Sequence, residues 1–240
     1  MNMTFNDTYE IQSVIGRGGM STVYLAEHKR LHNRWAVKEV RKQQGVRFDF
    51  LAESNILKRL QHPMLPRIVD IFEDDTTICI VEDYVQGISL QDYIKHRHRI
   101  DEALGIQWLR DLCEVLDYLH TQKPHPIIYR DMKPANIMLQ EDGRLKLIDF
   151  GIAREYKQES QGDTTYIGTK GYAAPEQYGI AQTDERADIY SLGVLLNIML
   201  TGKHPSKELA SGRLGRIVQK CTMVNPEKRY KSVLYLMEAL

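Results

Sequence analysis

The chain has 240 residues, enough for one large domain or two smaller lobes. Hydrophobic residues make up 42% and charged residues 27%, spread along the chain, which excludes a disordered protein. Lys and Arg total 32, as do Asp and Glu, so the net charge is zero and a protein built mainly to grip nucleic acid is not expected.

The first third reads as strands with one helix. Residues 10–14 alternate, and residues 21–26 and 35–40 carry β-branched and aromatic side chains between turn-like segments. Residues 50–60 have helical spacing, with Phe50, Leu51, Ser54, Leu57 and Leu60 on one side; His62 and Pro63 end the run. Residues 68–72 and 77–82 form a predicted strand pair around an acidic turn at Asp74 and Asp75. After Gly87 the pattern turns helical. Residues 90–96 and 106–120 are predicted helices, the second with Leu109, Leu112, Val115, Leu116 and Leu119 on its apolar face. Residues 127–150 hold short extended pieces and tight turns, and residues 152–177 show weak periodicity. Residues 187–200 form a strongly apolar helix, and Pro226 interrupts a last helical region. A β-rich part followed by an α-rich part predicts an α+β fold of two lobes, residues 1–85 and 86–240.

The cysteines, Cys79, Cys113 and Cys221, are far apart and form no C-x-x-C pair, so neither a disulfide framework nor a zinc site is expected. That fits a reducing compartment. The first residues lack a basic region followed by an apolar stretch, and the strongest apolar run, 192–200, is too short to span a bilayer. The expected location is cytoplasmic, either alone or as the cytoplasmic domain of a longer, membrane-anchored protein. The basic run 95–99, KHRHR, reads as a solvated helix end.

Four segments carry chemistry. Gly16, Gly18 and Gly19 lie in GRGGMSTV between two predicted strands, where glycine lets backbone approach a phosphate closely. A simple glycine-rich hairpin would look the same. The strand–loop–strand order argues against a dinucleotide fold, whose loop opens a helix. Lys38 follows Ala36 and Val37 on a strand and needs an anionic partner, which Glu53 on the next helix can supply. The segment 129–136, YRDMKPAN, is more specific: Asp131 can accept a hydroxyl proton, Lys133 can neutralise a transferring anion, and Asn136 can hold a metal. Asp149, in Asp-Phe-Gly after an apolar strand, offers a second hard oxygen ligand.

This ordered set resembles the eukaryotic-type, or Hanks-type, serine/threonine protein kinases, and among them the bacterial members, from about residue 9 to the end of the chain. Ala174-Pro175-Glu176, Asp188 with Ser191 and Gly193, and Arg229 as the partner of Glu176 extend the match. The resemblance implies a bilobal kinase fold with a small β-rich N-lobe and a larger helical C-lobe. It implies ATP with Mg²⁺, or Mn²⁺ in its place, and protein substrates phosphorylated on serine or threonine. Asp131 would be the base, assisted by Lys133, with Lys38 and Glu53 on the nucleotide phosphates and the metal on Asn136 and Asp149. Ile15, Gly16, Gly18, Val23, Ala36, Glu82, Asp83, Val85 and Met138 would surround the nucleotide, and Thr169 would position the substrate. Thr164 and Thr165 are the expected phosphosites, clamped by Arg130 and Arg154, with self-association for autophosphorylation between copies. Nucleic acid is not an expected partner.

Three positions depart from the family pattern. Ser21 stands for the third loop glycine. Tyr129 replaces the usual histidine before Arg-Asp and is expected to stack structurally with Leu57, Ile68 and Phe150, anchored on Asp188. Glu82 falls where an apolar side chain usually backs the adenine; either it is buried and finds a donor, or the alignment slips by one residue and leaves it exposed. A pseudokinase would lack one or more of Lys38, Glu53, Asp131, Asn136 and Asp149. A small-molecule phosphotransferase would lack the Ala-Pro-Glu segment and its arginine.

Overall fold

A computed structural model describes residues 4–18, 21–42, 56–150, 153–156, 168–178 and 183–240. They fall into two compact units, Met1–Gln86 and Gly87–Leu240. The predicted helix over 50–60 and Glu53 lie mostly or wholly outside the described residues, as do Gly19, Gly151, Thr164 and Thr165.

The first unit is an antiparallel sheet in the order β1-β2-β3-β4-β6-β5. Its strands are β1 (Thr4–Phe5), β2 (Tyr9–Arg17), β3 (Ser21–His28), β4 (Arg34–Arg41), β5 (Ile68–Glu73) and β6 (Thr77–Asp83). Side chains alternate between faces, and directly paired residues share one. Tyr24, Val37 and Val81 are paired across β3, β4 and β6 and so share a face. Tyr9, Ala26, Val37, Cys79 and Val81 form a buried cluster, with Phe5, Trp35 and Phe72 packed against it. The other face carries Val23 opposite Lys38, Lys38 opposite Ile80, and Ala36 opposite Glu82. At the β2–β3 turn the Gly18 amide donates to the Ser21 carbonyl at 2.8 Å.

The second unit is built on three helices. Glu102–His120 starts four residues earlier than its apolar pattern suggests, because Asp101 caps it: its carboxylate accepts from the amides of Ala103 and Leu104. Arg186–Thr201 is buried nearly all round, as its composition predicts, and ends on Gly202 in the left-handed region. A side chain at Gly202 would also run into the His98 carbonyl. Gly212–Cys221 packs closely on Arg186–Thr201, and the absence of a side chain at Gly193 permits the approach: a Cβ there would lie 2.4 Å from that of Cys221. A short helix, Leu90–Arg97, and the last helix, Val233–Ala239, complete the frame. Two small sheets carry the chemical segments. One has the order β10-β9-β7, from β7 (Ile88–Ser89), β9 (Ile137–Leu139) and β10 (Leu145–Leu147). The other pairs β8 (Ile127–Ile128) with β11 (Arg154–Glu155).

The three cysteines are free and buried. Among the described residues, no helix is long and apolar enough to cross a membrane.

Candidate active site

The loop after β8 takes its shape from one buried carboxylate. Asp188, in the first turn of the Arg186–Thr201 helix, accepts the backbone amides of Tyr129 at 2.9 Å and Arg130 at 2.7 Å. His120 Nε2 lies 2.8 Å from the same group. These bonds hold Arg130 at a φ of 65°, a region costly for a residue with a side chain, immediately before Asp131. Asp149 also lies there, with a φ of 67°. Two such residues in adjoining segments mark a place where the fold enforces geometry at a cost of about 1–3 kcal/mol each.

Three side chains converge on Asp131. Lys133 Nζ and Asn136 Nδ2 each donate to its Oδ2 at 2.7 Å. Thr169 Oγ1 donates to Oδ1 at 2.8 Å and accepts from Lys133 Nζ at 2.7 Å. An alcohol therefore sits with its proton on the carboxylate and its oxygen against an ammonium. The Pro134–Asn136 turn brings Asn136 back to Asp131, with a second bond from Nδ2 to the Asp131 carbonyl. This spends the amide nitrogen and turns the amide oxygen into the end a cation would use.

Tyr129 takes the structural place expected of it. Its ring is fully buried and meets Phe150 edge-on, centroids 5.0 Å apart. Its hydroxyl donates to the Ile148 carbonyl at 2.7 Å. Burial, reinforced by the charges of Asp149, Asp131 and Asp188, pushes the phenol well above its ordinary range, so it acts as a donor and not as a base. Leu57 and Ile68, expected in the same stack, belong to the first unit.

In the first unit, the strand pairing puts Val23, Ala36, Lys38, Ile80 and Glu82 on one face. Lys38 and Ala36 are buried, Ile15 is exposed, and Val85 is buried beyond the end of β6. Glu82 sits between its two expected states: the register puts it on the face of Lys38, yet it is only half-buried. Glu82 is paired with Ala36 of β4 and Ile68 of β5 as the penultimate residue of β6. Asp83 is tied to Arg67. Its carboxylate accepts from Arg67 N, Nε and NH2 within 2.9–3.0 Å, and its amide donates to the Arg67 carbonyl at 3.0 Å. Met138, on β9, is half-buried in the second unit.

The segment before the Arg186–Thr201 helix is fixed by an internal ion pair. Arg229 NH1 and NH2 bond the two oxygens of Glu176 at 2.6 and 2.9 Å, with both residues buried. Arg229 also donates to the carbonyls of Met223, Val224 and Arg186. The sequence singled out this pair and missed two others. His120 and Gln177 both brace the catalytic loop, Gln177 through a bond from Nε2 to the Arg130 carbonyl at 2.9 Å. Neither carries a signal in one sequence, since a histidine ending a helix and a glutamine after Ala-Pro-Glu have many ordinary uses. Arg130 is buried, whereas the side chain of Arg154 lies outside the described residues.

No cluster of three or more His, Cys, Asp or Glu side chains suited to a metal occurs among the described residues. The carboxylate of Asp149 and the amide oxygen of Asn136 are hard oxygens. They fit Mg²⁺, which takes one or two protein oxygens and fills its shell with phosphate and water.

Comparison with known proteins agrees with this arrangement. The family model for the protein kinase domain matches residues 9–234. The serine/threonine-protein kinase PknB of Mycolicibacterium smegmatis is 36% identical over 211 residues, covering 83% of this chain and 33% of that protein. PknB of Mycobacterium tuberculosis is 33% identical over 261 aligned positions, covering 95% of this chain and 41% of its own length. The serine/threonine-protein kinase B of a Synechocystis strain is 30% identical across the whole chain, which spans 47% of that relative. The chain thus spans less than half the length of these curated relatives. With its catalytic-loop geometry and the extent of the match, the chain belongs to the protein kinase domain family.

Proposed function

We propose that this domain transfers the γ-phosphoryl group of ATP to serine and threonine hydroxyls of proteins. The observation that carries the reading is the Thr169 hydroxyl, bonded at once to Asp131 and Lys133. A substrate alcohol entering the same contacts would meet a carboxylate that takes its proton and an ammonium that faces the incoming phosphoryl group. The alcohol oxygen forms a bond to the γ-phosphorus, the bond to the β–γ bridging oxygen breaks, ADP leaves, and the alcohol proton passes to Asp131. Asn136 holds Asp131 in place through its amide nitrogen. Mg²⁺ on Asn136 and Asp149 would supply charge neutralisation at the phosphates. Lys38, paired with Glu53, would hold the α- and β-phosphates beneath the loop of Ile15, Gly16 and Gly18. Val23, Ala36, Val85 and Met138 would enclose the adenine, and Glu82 would border it. Any bond from Asp83 to the base runs through its carbonyl, since its amide is given to Arg67. Thr169 would align the substrate, and the lysine two residues after Asp131 favours serine and threonine over tyrosine by family resemblance.

The reading extends to autophosphorylation at Thr164 or Thr165 between self-associating copies, with Arg130 and Arg154 receiving the phosphate. It also extends to a cytoplasmic domain of a longer, membrane-anchored protein.

Incubation with radiolabelled ATP, Mg²⁺ and a generic basic protein tests the whole reading. Wild type labels serine and threonine. Asp131→Asn loses turnover by about 10²–10⁴-fold while binding ATP as before. Lys38→Met loses turnover without unfolding. Mass spectrometry of the same reactions finds phosphate on Thr164 or Thr165 only where turnover survives. Full activity in Asp131→Asn, or label on tyrosine, overturns the assignment.

A further inference from the structure

Gln177 is almost wholly buried in the Pro175–Tyr178 turn, and its side-chain amide joins segments that are far apart in sequence. Its Nε2 donates to the Arg130 carbonyl at 2.9 Å. Its Oε1 accepts the Ala174 amide at 3.0 Å. Gly168 is the third neighbour: a Cβ there would lie 3.0 Å from Gln177 Nε2 and 2.7 Å from the Ala173 Cβ. A side chain at residue 168 would therefore press on the Gln177 amide and on Ala173, and its φ of 132° suits glycine.

Two of these neighbours immediately precede reacting-site residues. Arg130 precedes Asp131, and Gly168 precedes Thr169. The Arg130 carbonyl belongs to the peptide plane whose other end is the Asp131 amide, so a bond to it sets how that plane turns. Arg130 sits at a φ of 65°, and Asp188 fixes only its amide side. Gln177 donates on its carbonyl side.

We propose that Gln177 is a positioning residue that sets the Thr169–Asp131 pair in register by bonding the residue before Asp131 and packing beside the residue before Thr169. The inference rests on the reading of Asp131 as the base. Gln177 acts through the two segments that carry Asp131 and Thr169. A glutamine serving only to satisfy buried polar groups would support the fold and leave the chemistry of each folded molecule alone.

The test compares wild type with Gln177→Met, which keeps length and removes both bonds, and Gln177→Glu, which keeps the acceptor for Ala174 and loses the donor for Arg130. Turnover is measured per ATP-binding site, so that unfolded protein does not count. The expected result is a fall in kcat of at least about tenfold in both variants, with the KM for ATP unchanged. On a Thr169→Ala background the same substitutions cost far less, because the register they disturb is already lost. Where Gln177→Met does not fold, Gln177→Glu carries the comparison. An unchanged kcat per binding site overturns the proposal, and so does full additivity with Thr169→Ala. Asp131→Asn runs alongside. If it keeps wild-type turnover, the base assignment falls and this proposal with it. If it is inactive while Gln177→Met turns over normally, this proposal falls alone.

Discussion

Tyr129 shows how one substitution in a conserved-looking motif can keep its place by changing its bonds. The ring packs on Phe150, and the hydroxyl reaches beyond the stack to the Ile148 carbonyl. Tyr129→Phe keeps the ring and leaves that buried carbonyl one donor short, so the expected loss is about 1–3 kcal/mol in urea unfolding, with turnover within about twofold of wild type. A drop in turnover far beyond the stability loss would give the phenol a chemical part. The pH dependence has a definite sign. The folded state holds the phenol's ionisation above its ordinary value, so this contribution is fully present below an unfolded-chain pKa of about 10 and is lost as pH rises beyond it. Tyr129→Phe should flatten the alkaline end of the stability profile.

At the scale of elements, the 174–178 segment depends on a guanidinium from the far end of the chain. Arg229 meets Glu176 with two parallel bonds and spends its remaining donors on three carbonyls. Arg229→Met leaves the Glu176 carboxylate buried and unpaired, and a loss of about 3–5 kcal/mol is expected. Arg229→Lys should recover little of it, because one ammonium cannot reproduce the fork. Chemical unfolding of the three proteins measures this, and wild-type stability in Arg229→Lys would show that charge alone suffices. The pair was legible in the sequence because both residues belong to known motifs. Strand identities in the first unit were legible from alternation. The early start of the Glu102–His120 helix was not, since Gly105 falls in its first turn and the cap at Asp101 is what marks the start. Gln177 was illegible for a different reason: which backbones its amide bonds is fixed by packing, not by residue type.

For the molecule as a whole, burial decides how the cysteines behave. Burial pushes the thiols of Cys79 and Cys113 up to about 12, and that of Cys221 up further. A thiol reagent that attacks thiolate should therefore find none of the three in native protein at pH 8, and all three in guanidinium. Rapid labelling of any one in the native state would show that its unit opens on the assay's timescale. The expectation of free thiols came from spacing alone, and the structure adds the reason they stay inert. The division into a sheet unit and a helical unit was likewise readable from composition along the chain, whereas the half-burial of Glu82 was not.

Asp188 carries a consequence for the chain as it is made. Lys38, Asp131, Asn136 and Asp149 all leave the ribosome before residue 188 does. Until the Arg186–Thr201 helix forms, the amides of Tyr129 and Arg130 have no carboxylate to hold them, and the loop bearing Asp131 has no reason to keep its strained turn. A nascent chain that already contains every proposed reacting group therefore still lacks the carboxylate that shapes the loop. The anchor thus ties the shape of that loop to completion of the Arg186–Thr201 helix.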